Sequence, residues 1–434
     1  LRNFAEYFRL FMTKTKGLLA LSPVLLFIFL YLVISIIMGD FYVMPLPVAL
    51  LVASIWAVAI DTDRPLTQRI ELFSKEAGNY NIIYMIWIFI LAGAFASLAK
   101  ETGAIDAMVA VTLKVIPDSM LIPGIFIAAC LISLSIGTSV GTVVALTPLA
   151  VELAHQGSTD TALFVAVVIG GAFFGDNLSF ISDTTIAATR TQGIKTNEKF
   201  KANLRIALPA ALITLIIYIF VGANVTEISS PENVNMLMIV PYLLIIVLAL
   251  TGMNVVLVLT CGIIAAFLLA LFYGHTPFEL AGYMGKGIDG MGELIIITLL
   301  ATGMLGMVKA MGGIDYLLKL MTRKINGSRG AQALIAILVG LVNLCTANNT
   351  VAILTTGNMS RDIATRFGVD PRKTASILDT AACIIQCVIP YGAQMLLATG
   401  LAGISAEAPL RYLYYPWVLT AMLIISIIIK KKTR

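Results

Sequence analysis

Apolar residues run along this chain in long blocks, and the polar residues collect between the blocks instead of alternating within them. Runs at 18–38, 43–60, 82–99 and 204–222 match the roughly 20 residues that a helix needs to cross a bilayer. Further on, the same pattern predicts spans at 236–251, 254–272, 293–310 and 412–429. Between them lie two kinds of interrupted segment. In one, two apolar arms flank a short polar tip: 120–136 with 143–155, and 331–345 with 351–364. Arms of about 14–17 residues suit a re-entrant hairpin better than two full crossings. In the other, one long span is interrupted by polar residues, at 161–192 and at 374–403.

These segments come in the same order twice. LAKETGAID (98–106) is echoed by VKAMGGID (308–315), with Lys100 and Lys309 209 residues apart. TSVGTV (138–143) lines up with TANNTV (346–351) at an offset of 208, and the stretch ending at Ile194 falls on the one ending at Ile404 at 210. A nearly constant offset over so many positions argues for duplication. Five crossings and one hairpin per half force the second half upside down. The expected fold is an all-α polytopic membrane protein of two inverted-topology repeats with broken helices at the midplane. Residues 1–222 form the first repeat, 223–235 an extracytoplasmic linker and 236–434 the second repeat.

Composition agrees. Charged residues are 12% of the chain and mean hydropathy is +0.95, where soluble domains carry about 25% charged residues. The first apolar run is too long for a removable signal peptide and lacks a small-residue cleavage site. A net charge of +5 does not point to nucleic acid, because the positives are confined to particular loops and no basic, aromatic-interleaved patch occurs. With both termini cytoplasmic, 25 of the 29 Lys and Arg fall on the inner side, Lys195, Lys199, Lys201 and Arg372 among them. Only Lys100, Lys114, Lys286 and Arg411 fall outside. Counting either hairpin as a crossing destroys this asymmetry.

The chemistry concentrates in GGAFFGDNLSFISDTT (170–185). A carboxylate near the bilayer centre costs roughly 2.5–3.5 kcal/mol on insertion scales, so Asp176 and Asp183 are expected to face a cavity, a partner or an ion. Glycines free backbone carbonyls, and Asn177, Ser179, Ser182 and Thr184 add oxygen donors of the kind hard cations prefer. The matching segment holds Asp379, Thr380, Gln386 and Gln394, with Pro390 expected to break its helix. Two polar tips meeting in inverted repeats make a recurrent transport site. They contribute Thr138, Ser139 and Thr142 from one half, and Asn348, Asn349 and Thr350 from the other. No Lys or Arg lies within the central parts of the broken spans, although Asp379, six residues from Lys373, is a candidate for a salt bridge.

Other polar residues read as structural. Cys383 and Cys387 lie four apart without His or further Cys, and all five cysteines read as small core residues. Glu152 and Glu293 read as interfacial, and Lys100 and Lys309 as helix C-terminal charges. His155 and His275 are both expected outside, which leaves carboxylates to carry any proton.

Together, GTSVGT in a first hairpin, GDNLSFISDTT in the broken helix after it and an LDT…IPYG segment in the second half resemble the NhaC-type sodium/proton antiporters of the ion transporter superfamily. The similarity spans nearly the whole chain. It implies an inverted-repeat fold, cation/proton exchange, a prokaryotic inner-membrane location and an elevator-like motion against outer helices that form a homodimer. By motif, Asp176, Ser182, Asp183 and Thr184 take the family's acidic-helix positions, with Asp176 and Asp183 on sodium, and Thr138 and Ser139 take its hairpin-tip positions. Departures are Val140, where members often carry Trp, Leu378 before Asp379, where a further acid is common, and the TANNT tip.

The expected function is therefore a secondary active transporter exchanging sodium for protons, with no cofactor beyond the transported ions. The alternative is sodium- or proton-coupled transport of a small organic anion or amino acid, which Asn348 and Asn349 would suit but no core arginine supports. An enzyme is not expected. Asp176 and Asp183 stand about 10 Å apart along an unbroken helix, too far for an aspartyl-protease dyad. HExxH, GxxxxGKS and GxSxG motifs are missing from the sequence. A passive channel fits broken-helix repeats less well than alternating access.

Overall fold

The computed structural model describes residues 16–34, 37, 44–157, 159–222, 234–316 and 327–429. Expectations for residues 1–15, most of the 223–235 linker, Lys319, Arg323, Lys324 and the basic tail from Lys430 lie outside these residues, as does part of the first span.

Every described element is helical, as the absence of alternation predicts. In chain order the first half gives α1 (Lys16–Tyr31), α2 (Leu46–Ile60), α3 (Leu66–Ala77), α4 (Tyr80–Glu101), α5 (Ala104–Val115), α6 (Leu121–Ile136), α7 (Ser139–Gln156), α8 (Thr161–Leu178), α9 (Asp183–Gln192) and α10 (Thr196–Gly222). The second half gives α11 (Val240–Leu250), α12 (Val255–Phe272), α13 (Pro277–Asp289), α14 (Gly292–Ala310), α15 (Gly327–Thr346), α16 (Asn349–Arg366), α17 (Pro371–Val388), α18 (Ala393–Ala402) and α19 (Tyr414–Ile428). Among the described residues, eight helical stretches are long and apolar enough to cross a membrane.

Burial separates the interior from the periphery. In the broken stretches Thr161–Gln192 and Pro371–Ala402, 89% and 78% of the apolar window is buried, against 28% for α12, whose Leu257, Ile264 and Leu268 point outward. A helix apolar all round and still exposed is suited to lipid.

Several bounds recur at a fixed shift. α7, α8 and α9 begin and end 210 residues before α16, α17 and α18 (139 to 349, 156 to 366). So does a hydrogen bond: Ser133 Oγ donates to the Ala172 carbonyl at 2.5 Å, and Asn343 Nδ2 donates to the Ala382 carbonyl at 2.8 Å (133 to 343, 172 to 382). The local offset of 208 read at the two tips is therefore two residues short. Thr138 pairs with Asn348 and Ser139 with Asn349.

Three of the four hairpin arms, α7, α15 and α16, are longer than expected. α6 turns at Gly137 (φ +75°), and α7 begins at Ser139, so Ser139 to Thr142 form a first helical turn and not a loop. The second tip turns at Ala347 (φ +48°), with Asn348 capping α16 by accepting from the Val351 N–H at 3.0 Å. Tip polarity was read as loop, but short polar side chains also begin helices by capping them. α15 reaches 20 residues and is itself long enough to cross a membrane.

The periphery interlocks the halves. α3 packs on α14, where Gly303 and Gly306 admit Phe73 and Glu76. α13 packs on α4, where Gly93 and Gly287 bring the two backbones together. At either crossing a Cβ would collide, and small residues of this kind let helices approach closely within a membrane.

Candidate functional site

The site forms where both helix breaks meet both hairpin tips. α8 stops at Leu178 because Ser179 to Ser182 leave helical geometry. α9 restarts on a Ser182 cap, whose Oγ accepts from the Thr185 N–H at 3.3 Å. The opened carbonyl of Asp176 is taken up by the Ser182 and Thr184 hydroxyls at 2.8 and 3.2 Å. α17 stops at Val388, just before Pro390, and α18 resumes at Ala393.

At these breaks the Asp176 carboxylate is 6% exposed. Its Oδ2 accepts from Ser139 Oγ at 3.0 Å and from Asn349 Nδ2 at 3.2 Å, one donor from each tip. The chain of amides continues: Gln394 Nε2 donates to Ser139 Oγ at 2.9 Å, and Gln386 Nε2 donates to Gln394 Oε1 and to the Ala347 carbonyl, each at 3.1 Å. Gln386 Oε1 is buried without a hydrogen-bond partner. Among the described residues no Lys, Arg or His pairs with Asp176.

Asp379 is treated differently. It is fully buried and ion-paired to Lys199 Nζ at 2.6 Å, and Asn203 Nδ2 also donates to its Oδ2 at 2.8 Å. Lys199 is itself fully buried and donates to the Asn177 carbonyl and to Thr185 Oγ1, each at 2.5 Å. Lys199 thus stands buried in the first turn of α10 and not in a loop, and although neither broken span carries a Lys or Arg in its own central part, this cation reaches them from a neighbouring helix. The bridge foreseen for Asp379 exists, but its partner is Lys199; Lys373 instead donates to Ser426 on α19.

The remaining expected residues divide. Asn177 is fully buried, and its Oδ1 accepts from Asn203 Nδ2 at 2.7 Å. Ser179 is buried, with its carbonyl accepting from Thr185 Oγ1 at 2.8 Å. Thr142 is buried but bonds to the Thr138 carbonyl within its own helix. Thr138, Asn348 and Thr350 are half-buried at the tips and do not contact Asp176. Asp183 stands in the first turn of α9, exposed, and accepts no hydrogen bond from the described residues.

Two contributors lie outside the expected set, Lys199 and Asn203, and a signal for both exists. Lys199, Asn203, Ile206, Ala207, Ala210 and Thr214 recur at helical spacing on the buried face of α10, so the apolar stripe of the span continues back through a lysine and an asparagine.

Comparison with known proteins places the sequence in a family. Residues 19–223 and 224–430 match the model of the Na+/H+ antiporter family. The chain is 26% identical over 386 residues to the Na(+)/H(+) antiporter NhaC of Bacillus subtilis, covering 81% of this chain and 84% of that protein. It is 21% identical over 441 residues to the malate-2H(+)/Na(+)-lactate antiporter of the same organism, covering 93% and 92%. The crystal structure of the Alcanivorax borkumensis YdaH transporter aligns with 93% of this chain and 97% of that one, at 14% identity and a TM-score of 0.40. By the reach of the family match over both halves, the chain belongs to the Na+/H+ antiporter family.

Proposed function

We propose that this protein is a secondary transporter exchanging sodium for protons, with the Asp176 carboxylate as the group both ions neutralise. The observation that carries this reading is a buried acid held by Ser139 and Asn349 with no basic partner among the described residues. An uncompensated charge in a low-dielectric interior is costly. A proton bonded to the carboxylate or a sodium ion bound to it removes that cost, and the two exclude one another. Gln386 Oε1 supports the sodium arm as a spare oxygen ligand. If the empty, charged site cannot traverse the membrane while either neutral form can, each passage of sodium one way is matched by protons the other way.

The same reading includes two inverted repeats with hairpins α6–α7 and α15–α16, and a prokaryotic inner-membrane location with both termini inside. The bounds and hydrogen bonds shared at a shift of 210 support the repeat. Contacts between segments assigned to one side support the topology: Lys16 with Asp63 inside, and Asp160 with Arg411, or Tyr31 with Glu407, outside. A homodimer through the outer helices belongs to this reading and is checked by mass photometry in detergent. Organic-anion transport is less well supported, because Lys199, the one cation in the central cluster among the described residues, is already neutralised by Asp379.

The test is sodium-driven proton flux in proteoliposomes. Asp176→Asn should lower flux at least about 100-fold, since it removes the only charge that both ions share. Flux within threefold of wild type in a folded Asp176→Asn protein would refute the assignment.

A further inference from the structure

Lys199 reaches the cluster from α10, outside the hairpins and broken helices, and spends its whole side chain in the interior. A lysine is almost never fully buried unless paired. Its three contacts have one thing in common: they tie the first break to α17. The ammonium grips the Asn177 carbonyl where α8 ends, the Thr185 hydroxyl where α9 begins, and the Asp379 carboxylate on α17. Asn203, one turn along, repeats the pattern by donating to the Asn177 carbonyl, Asn177 Oδ1 and Asp379 Oδ2. Through Asn177 this cluster is a single residue from Asp176.

We propose that Lys199 is a specificity-determining residue, a built-in cation that occupies the second buried acid so that the site presents one negative charge and accepts only monovalent ions. This rests on the reading of Asp176 as the exchange site. Two carboxylates and one ammonium sum to a single negative charge, which one sodium ion or one proton neutralises. Without the ammonium the two acids together carry two charges in an oxygen-lined interior, the donor set that hard divalent cations take. Asp183, the other acid nearby, is exposed, where solvent screens its charge, and is not counted among the buried groups.

The experiment measures sodium-driven proton flux and ²²Na⁺ binding in purified protein, with CaCl₂ as competitor. In wild type, millimolar calcium should leave both unchanged. In Lys199→Gln it should compete with sodium at least tenfold more strongly than in wild type, and in Lys199→Gln/Asp379→Asn that sensitivity should vanish. A folded Lys199→Gln protein as indifferent to calcium as wild type overturns the proposal. If Lys199→Gln does not fold, Asp379→Asn decides. There the unpaired ammonium cancels the charge of Asp176, so sodium affinity should fall at least tenfold and should rise again in the double variant. Equal sodium affinity in the single and double variants overturns the proposal. Failure of the underlying reading looks different: Asp176→Asn would then keep wild-type flux, whatever calcium does.

Discussion

Asp176 draws a donor from each tip, so the two contacts can be weighed separately. A hydrogen bond to a charged group contributes about 1.5–3 kcal/mol. Asn349→Ala or Ser139→Ala should therefore raise the sodium concentration for half-maximal exchange by about tenfold or more, measured as flux against sodium at fixed pH. The effect is on the hold over the ionised carboxylate, so maximal flux at saturating sodium should change less. Asp183 predicts the opposite pattern. Exposed at the mouth of the break, it acts through solvent, where charge effects are screened. Asp183→Asn should lower flux less than about tenfold, and the loss should shrink as ionic strength rises. At this scale Asp176 was legible because a carboxylate in an apolar run has few places to go. The difference between Asp176 and Asp183 was not legible, because sequence spacing does not reveal which side of a helix break faces protein.

Helices here are specified by where they stop as much as by their apolar runs. Pro390 and the Gly/Ser-rich segment at 175–182 announce breaks, and the structure parts both helices there. The tips were harder to read, since residues that favour turns also cap helices. Ala347 marks the cost of the second tip. Left-handed geometry costs an alanine about 1–2 kcal/mol, while glycine loses about 0.5–1 kcal/mol more in chain entropy than alanine. Ala347→Gly should therefore stabilise by about 1 kcal/mol or less, read as a raised melting temperature in detergent. Gly175 predicts the reverse. A Cβ there would lie 2.3 Å from Ser133 Cβ and 2.4 Å from the Leu134 backbone nitrogen, atoms of α6 that cannot swing aside. Gly175→Ala should cost at least about 1–3 kcal/mol, the usual penalty of overpacking, and lower the same melting temperature.

Across the whole molecule, the two halves share an outline but not a charge. Shifted by 210 residues, Asp176 falls on Gln386, so one half supplies an acid where the other supplies an amide. Ser139 and Asn349 are likewise equivalent, yet both turn to Asp176. A buried acid with no basic partner among the described residues thus arises in one half only, and the hypothesis of one exchange site follows from that inequality. The topology is tested by single cysteines and a membrane-impermeant maleimide. Positions 195 and 372 should label only from the cytoplasmic side, and 160 and 411 only from outside; labelling of all four from one side would refute the inverted arrangement.

The order of apolar and polar residues by itself determined the helical class, the membrane setting, the doubled element order and the presence of a costly acid in the first broken helix. These follow from local rules, because hydrocarbon tolerates only helices with satisfied backbones and punishes lone charge. Only the tertiary structure decided which acids remain unpaired. Lys199 and Asp379 are 180 positions apart in the chain yet 2.6 Å apart in space, and the pairing depends on α10 lying against α17. Such a contact is a property of packing between distant helices, which hydropathy along one helix does not encode.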